Sequence, residues 1–301
     1  MLSAMVLAAG LGTRLRPLTE QRAKPLVPVG DRPILGHILD SLWGAGAPRV
    51  VVNTHHRARE LESYAAAQRT EMLLSSEPEL LGTAGGLAQA RDLLGAGDVL
   101  VWNADILADA DLDALVAAHA EGAAMTAPAQ ATLLVQPLAR GEGSVGCDAG
   151  GSIVRLRREA VGAEAHGGEF LGIHVLGESL RRTLPTRGCL VGDVYIPALK
   201  RGARLGSLLH RGAFFDVGTL RGYLQANLAW LAARSARHWT AQGASVAPGV
   251  VLEECLVGEG ATVRGAGRLV RCVVWPGASA TGPLVDSIVT PEGVVTVSPR
   301  A

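Results

Sequence analysis

Apolar and polar positions change their period along the chain. Short β-branched or apolar runs of strand length stand at Ala4–Ala8, Val50–Asn53, Glu71–Ser75 and Val99–Trp102. Between them, Ile34–Trp43, Arg57–Ala67 and Thr83–Leu94 repeat apolar residues three and four apart, the spacing of a helix with one buried face. This alternation predicts an α/β fold, a mostly parallel sheet flanked by helices on both faces with right-handed crossovers. Ala131–Pro137, Ser152–Arg157 and Glu169–Leu176 are predicted as antiparallel strands added on one side. A helix from Leu220 to about Ala233 ends this part.

After "RSARHWTAQG" the texture changes. From Ala244 onward small apolar residues recur every five or six positions, with Gly and Pro between: Val246, Val251, Leu256, Ala261, Leu269, Val274, Ser279, Leu284 and Ser287–Val289. Hexads of this kind suit a left-handed parallel β-helix, in which each six-residue side offers one small residue to the core. Roughly 55 residues build only about three coils, so such an element leans on the first domain or on a neighbouring chain. The expected domains are 1–236 and 244–301.

Composition narrows the class. The chain has 301 residues, of which 48% are apolar and 19% charged, enough to bury a core and too apolar for disorder. The formal net charge of zero offers no basic excess for a nucleic acid or a membrane surface. The apolar run at the start stops at Gly10, too short for a signal peptide or a membrane span, so a cytoplasmic location is expected. Cys147, Cys189, Cys255 and Cys272 form no Cys-x-x-Cys or His-Cys zinc spacing and read as small apolar residues. Lys24 and Lys200 are the only lysines, so a lysine within the opening motif points to a need for a compact ammonium there.

That motif is "LAAGLGTRLRPLTEQRAKPL", Leu7 to Leu26. Leu15 stands where a dinucleotide fingerprint has its third glycine, and Asn53 where it has a ribose-binding acid. No Gly-Lys-Ser/Thr follows, so it is not a Walker loop either. A phosphate seat fits better. Gly10 and Gly12 follow the first strand, at the end of the sheet where ligands bind, and permit a concave row of N–H groups. Arg14 adds a guanidinium fork and Lys24 a mobile point charge.

"LAAGLGTRLRPLT…KPLVPVGDRPIL" resembles the signature of the nucleoside-diphosphate-sugar pyrophosphorylases, the sugar-1-phosphate nucleotidylyltransferases. "EPELLGTAGGLAQA" (Glu77–Ala90) is similar to the family's second glycine-rich loop, "VLVWNADIL" (Val99–Leu107) to the strand ending in a metal-binding aspartate, and "FFDVGTLRGYLQAN" (Phe214–Asn227) to the segment bearing the second. The hexads resemble those of the mannose-1-phosphate guanylyltransferase-like and glucose-1-phosphate adenylyltransferase-like branches, the first favoured here. The resemblance covers essentially the whole chain and implies a Rossmann-like sheet.

It also implies roles. Leu7, Ala9, Gly10, Gly12, Thr13, Arg14, Lys24, Gly82, Thr83, Ala84 and Gly85 would bind the nucleotide, and Asp105 and Asp216 would hold Mg²⁺. Each aspartate follows an apolar run, and paired carboxylates suit a hard cation that keeps waters and substrate phosphates. Asp109, Asp111 and Asp113 instead precede a helical pattern and read as cap and first-turn acids. The implied reaction is attack by a sugar-1-phosphate oxygen on the α-phosphorus of a nucleoside triphosphate. The nucleophile is already an anion, so positioning and electrostatics carry the work, with Arg14, Lys24, Asp105 and Asp216 as catalytic residues.

The sugar side departs from the family. Its Glu-Lys-Pro element corresponds here to "SIVRLRREAVG", without lysine or proline. Arg155, Arg157 or Arg158 could substitute, and strand alternation puts Arg155 and Arg157 on one face. Asn103, Arg157, Glu169 and Gly172 are the candidate sugar-side residues. His55 and His56 are adjacent with no third ligand, so they read as rim residues. Open alternatives are a uridylyltransferase for a glucose or amino-sugar phosphate and a catalytically silent nucleotide-sugar-binding scaffold. A choline-phosphate cytidylyltransferase would need an aromatic cage that few aromatic residues could furnish. Partners would be the two substrates and, through the hexads, a second copy of the chain.

Overall fold

The computed structural model describes residues 2–68 and 72–298. Glu71, the first residue of one expected strand, lies outside them, as do residue 1 and residues 299–301 of the expected domains. Two compact units form, one from Met1–Gly10 and Ile38–Phe214, the other from Leu11–His37 and Phe215–Ala301.

The first unit is built on a mixed sheet. Strands β1 (Ser3–Leu7), β2 (Val50–Thr54), β3 (Met72–Ser76) and β4 (Val99–Asn103) run parallel in the order β3-β2-β1-β4. Val50–Thr54 is buried throughout, as a strand covered on both faces must be. Helices α1 (Ala58–Ala67) and α2 (Gly82–Gln89) lie in the crossovers β2-to-β3 and β3-to-β4. The helical run expected over Thr83–Leu94 divides at Ala90, after which a short turn of helix, α3, spans Arg91–Leu94. The "GTAGG" segment is therefore the first turn of α2, not a loop.

Beyond β4 the sheet turns antiparallel. β5 (Ala129–Leu138) and β8 (His166–Leu176) pair with each other, and β8 pairs with β4. The short strands β6 (Val145–Cys147) and β7 (Ile153–Leu156) extend this side. One strand, β9 (Arg204–Leu209), adds in parallel to β5. Met5, Val51, Leu87, Val99, Val101, Leu133, Leu176 and Tyr195 share the core. Asp111 caps the helix Leu112–Ala123 by accepting from Ala114 N at 2.8 Å, with Asp113 in its first turn.

The second unit holds the signature segment from Leu11, a helix α4 (Leu220–Ala232) and the C-terminal strands. Asn227 of α4 ties them, accepting from Gly30 N at 3.0 Å and donating to Tyr223 O at 3.0 Å. The Tyr223 hydroxyl accepts from Trp275 Nε1 at 2.9 Å, and the Arg22 guanidinium lies 5.6 Å from the centre of the Trp275 ring. From His238 the strands pair in parallel at a near-constant offset: His238 with Cys255, Ser245 with Thr262, Leu256 with Val273, Thr262 with Ser279. Leu284–Thr290 continues the parallel ladder, and Gly293–Thr296 closes it antiparallel, so the C-terminal sheets are mixed.

Glu254, Arg271 and Asp286 take left-handed φ values of 51°, 50° and 45°, the last two inside the strands Gly267–Val274 and Leu284–Thr290. Arg271 and Asp286 cross-link these two strands by bonds of 2.6 and 2.7 Å. Leu256, Ala261, Leu269 and Val274 point inward as their spacing suggests. Val251, 52% exposed, and Ser279 do not. In a strand a one-residue change of phase turns a side chain to the other face, and apolarity alone does not fix that phase.

Candidate active site

Within the first unit Leu7, Asn103 and Gly172 come together at the C-terminal rim of the parallel strands. Leu7 pairs with Asn103 across β1 and β4, and Leu7 O accepts from Ala104 N at 3.0 Å. Trp102 Nε1 donates to Ile106 O at 3.0 Å and so closes the turn that carries Asp105. Gly172, at φ +72°, faces Asn103 so closely that a Cβ there would lie 2.5 Å from Asn103 Nδ2. Those two sugar-side candidates are neighbours. Glu169 Oε2 accepts from Ser144 N at 2.9 Å.

Two residues that sequence reasoning did not assign organise the rim. Asn53 and Glu77 are 3% and 4% exposed. Asn53 Oδ1 accepts from Ala8 N at 2.6 Å while its Nδ2 donates to Glu77 Oε1 at 2.6 Å. Glu77 Oε2 accepts from Leu81 N at 3.0 Å. One polar relay thus fixes the exit of β1, where Ala8, Ala9 and Gly10 follow, relative to the start of α2. Gly86 packs on it, since a Cβ there would stand 2.6 Å from both Asn53 Nδ2 and Glu77 Oε1. The only signal in the chain was a polar residue ending the otherwise apolar "VVVN".

The glycines and threonine of "GTAGG" also meet the protein itself. Gly82, at φ +75°, abuts the Gly188 carbonyl, and a Cβ on Gly85 would lie 2.6 Å from Thr186 O. Ala84 N donates to Gly188 O at 2.9 Å, and the Thr83 hydroxyl accepts from Leu190 N at 2.7 Å. His55 Nδ1 sits 2.9 Å from Glu77 O, a rim position.

The arginines of "SIVRLRR" correct the expectation. Arg155 and Arg157 do not share a strand face, because β7 ends at Leu156 and Arg157 follows it at φ +56°. Arg155 is saturated. Its Nε bonds Glu164 Oε2 at 2.7 Å, and its Nη atoms reach Glu164 Oε1 and the carbonyls of Glu142, Gly143, Val145 and Arg157 at 2.9–3.2 Å. A guanidinium has five N–H donors, so none is left for a phosphate. The Arg155 bond, then the Gly141 N–H, bring the Glu164 carboxyl down to about 2. Arg157 is exposed, with Nη2 3.5 Å from Cys189 Sγ.

In the second unit the signature residues cluster by themselves. Gly12 takes φ +64°, its carbonyl accepting from Thr19 Oγ1 at 2.9 Å, and opens the short helix Thr13–Leu15. A Cβ on Gly12 would stand 3.2 Å from Lys24 Cβ, so the lysine stem packs on the glycine. Arg14 Nη1 bonds Asp216 Oδ2 at 3.3 Å, and Asp216 Oδ1 accepts from Gly218 N at 2.8 Å. Thr219 caps α4 by accepting from Gly222 N at 3.0 Å, and Gly222 in turn packs on the Asp216 carbonyl. Asp216 is therefore held by the turn into α4, with a cation beside it.

Among the described residues no group of three or more His, Cys, Asp and Glu side chains gathers as a metal cage. Carboxylates presented singly on turns, such as Asp105 and Asp216, fit a hard cation that takes its remaining oxygens from water and phosphate. All four cysteines are free, and no helix among the described residues is long and apolar enough to cross a membrane.

Comparison with known proteins names the class. The chain belongs to the nucleotidyl transferase family, which matches residues 3–233. It is 33% identical over 228 residues to the N-acetylmuramate alpha-1-phosphate uridylyltransferase of Neisseria meningitidis, covering 73% of this chain and 94% of that protein. It is 30% identical over 246 residues to the mannose-1-phosphate guanyltransferase of Schizosaccharomyces pombe, covering 76% and 64%. To the N-acetylmuramate alpha-1-phosphate uridylyltransferase of Caulobacter vibrioides it is 42% identical over 125 residues, covering 38% and 52%. The matches to the last two thus span about half to two-thirds of those proteins. The fold is similar to HddC from Yersinia pseudotuberculosis complexed with GMP-PN, with a TM-score of 0.63, 19% identity and coverage of 76% and 100%. It is likewise similar to an apo-UDP-glucose pyrophosphorylase, with a TM-score of 0.64, 17% identity and coverage of 78% and 100%.

Proposed function

We propose that this protein joins a sugar-1-phosphate to a nucleoside triphosphate, giving a nucleotide sugar and pyrophosphate, with mannose-1-phosphate and GTP as the preferred pair. The observation that carries the reading is the cluster of Arg14, Lys24 and Asp216 around Gly12 in a chain of this family. A sugar-phosphate oxygen forms a bond to the α-phosphorus while the bond from that phosphorus to the bridging oxygen breaks and pyrophosphate leaves. Arg14 binds the departing phosphates, and Lys24 the α-phosphate or the sugar phosphate. Leu7, Ala9, Gly10, Gly12, Thr13 and the Gly82–Gly85 turn line the nucleotide, and Asn103, Gly172, Glu169 and Arg157 the sugar. Asp105 and Asp216 would be the carboxylate ligands of Mg²⁺, which when bound neutralises and orients phosphate oxygens.

A uridylyltransferase is the second reading, favoured by the match to nearly the whole length of the Neisseria meningitidis relative. The proposal includes a catalytic domain over 1–236, a left-handed β-helix over 244–301 able to pair copies of the chain, and a cytoplasmic location. Parallel rungs at a near-constant offset support the β-helix. The test is pyrophosphate release over a grid of triphosphates and sugar-1-phosphates with magnesium. Release is expected to be highest with GTP and mannose-1-phosphate, and to fall at least about a hundredfold in Asp216→Asn with an unchanged circular dichroism spectrum. Release in no cell of the grid, or near-normal release by the variant, would overturn the reading.

A further inference from the structure

A second anion-seeking cluster lies in the first unit, away from every residue assigned above. A cavity of about 390 Å³ is lined by Arg91, Asp92, Gly95, Glu178, Arg181 and Arg182. Arg181 is 7% exposed, and only its Nη2 is engaged, donating to Gly95 O at 2.6 Å. Its Nε and Nη1 are buried without any hydrogen-bond partner. A guanidinium does not lose its proton in a protein, so this is a buried cation with unused donors. Burial opposes its charge, Glu178 and then Asp98 favour it, and Arg182 and Arg91 oppose it more weakly.

The nearby acids are already engaged. Glu178 Oε1 is bound to Arg182 Nη2 at 2.8 Å. Asp98 Oδ1 accepts from Glu178 N at 2.7 Å, and its Oδ2 lies 3.4 Å from His119 Nε2. The lining therefore carries three guanidinium groups and two carboxylates, Asp92 and the Arg182-bound Glu178. Arg91 and Arg182 are exposed, so the cavity has an open cationic rim above a buried cationic floor. Its size is within the range of small-ligand sites.

We propose that this cavity is a binding site for a phosphate-class oxyanion, the free ion or the phosphoryl group of a metabolite, with Arg181 as its floor and Arg91 and Arg182 as its rim. A tetrahedral oxyanion supplies hydrogen-bond acceptors of the kind that Arg181 Nε and Nη1 lack. Such a ligand would sit beside the loop that leads through Asp98 into Val99–Asn103, at the opposite end of that strand from Asn103.

The test uses the full chain carrying Arg14→Ala and Lys24→Ala, so that the signature segment does not report. Inorganic phosphate and a hexose 6-phosphate are each titrated by calorimetry. Saturable one-site binding is expected, weaker by about tenfold for each rim arginine removed in Arg91→Gln/Arg182→Gln. Tighter inorganic phosphate would identify the free ion as ligand, and tighter hexose phosphate a phosphorylated metabolite. Arg181→Met is expected to abolish binding while leaving the circular dichroism spectrum unchanged. Binding of neither probe, or an isotherm unmoved by the rim substitutions, would overturn the site. The readout is affinity, so its failure is separable from failure of the activity grid.

Discussion

Acidification from about pH 7 to about pH 5 is expected to cost the folded protein about 2 kcal/mol through one side chain, His174. It is 2% exposed in the middle of the sheet, opposite Leu133 on one side and Val101 on the other. The rings of Phe170 and Tyr195 pack edge-on at 5.4 and 5.6 Å, and neither imidazole nitrogen has a hydrogen-bond partner. Burial alone drives its pKa down to about 3 from an ordinary value near 6.5. The folded state therefore prefers the neutral ring. Its stability is complete above about pH 6.5 and falls by about 1.4 kcal/mol per pH unit below that, until the folded form protonates near pH 3. Across the full window the loss is about 5 kcal/mol.

The assay is urea unfolding at the two pH values, for the natural chain and for His174→Phe. The variant removes the titrating group and two unpaired polar atoms, so its stability at neutral pH is expected to be equal or higher. Its loss on acidification should be smaller by about 2 kcal/mol. His119, which burial also lowers, is present in both proteins and cancels in the difference. If both chains lose the same free energy between the two pH values, the inference from His174 burial is wrong.

Two further outcomes follow from the hydrogen-bond inventory. Arg155→Met strands the Glu164 carboxylate and several carbonyls, and is expected to lower unfolding free energy by about 3 kcal/mol while leaving the KM for sugar phosphate unchanged; a raised KM at unchanged stability would return Arg155 to the substrate. Asn53→Ala orphans the Ala8 N–H and one Glu77 oxygen, and is expected to cost about 2 kcal/mol and to lower kcat/KM through the displaced β1 exit; unfolding curves that superimpose on those of the natural chain would exclude the relay.

Much of the sheet was legible because burial imposes a period on the sequence. Runs such as "VVV" at 50–52 and "VLVW" are apolar at every position, as a strand covered on both faces requires, and each pairs in parallel with Ser3–Leu7. The break of the Thr83–Leu94 helix at Ala90 was not legible, since "AQARDLL" carries no proline or glycine. Nor was the inward or outward phase of Val251 and Ser279.

The residue types of the signature were plain in one dimension. A glycine at left-handed φ, a rare lysine and an arginine stand close along the chain, and the chemistry they suit follows from their identity. What each polar group touches was not plain. "SIVRLRR" reads as two arginines on one face, yet Arg155 is spent inside the protein by Glu164 and four carbonyls that come from 142–145, 157 and 164. Asn53 reads as a missing ribose acid and is instead the hinge of a buried relay to Glu77. Periodicity reports how much water a side chain sees, and so the sequence by itself determined the order of strands and helices and the kind of chemistry on offer. Hydrogen bonds depend on which distant acceptors arrive within about 3 Å, and only the tertiary structure decided which cations are already engaged and which, like Arg181, still have donors unused.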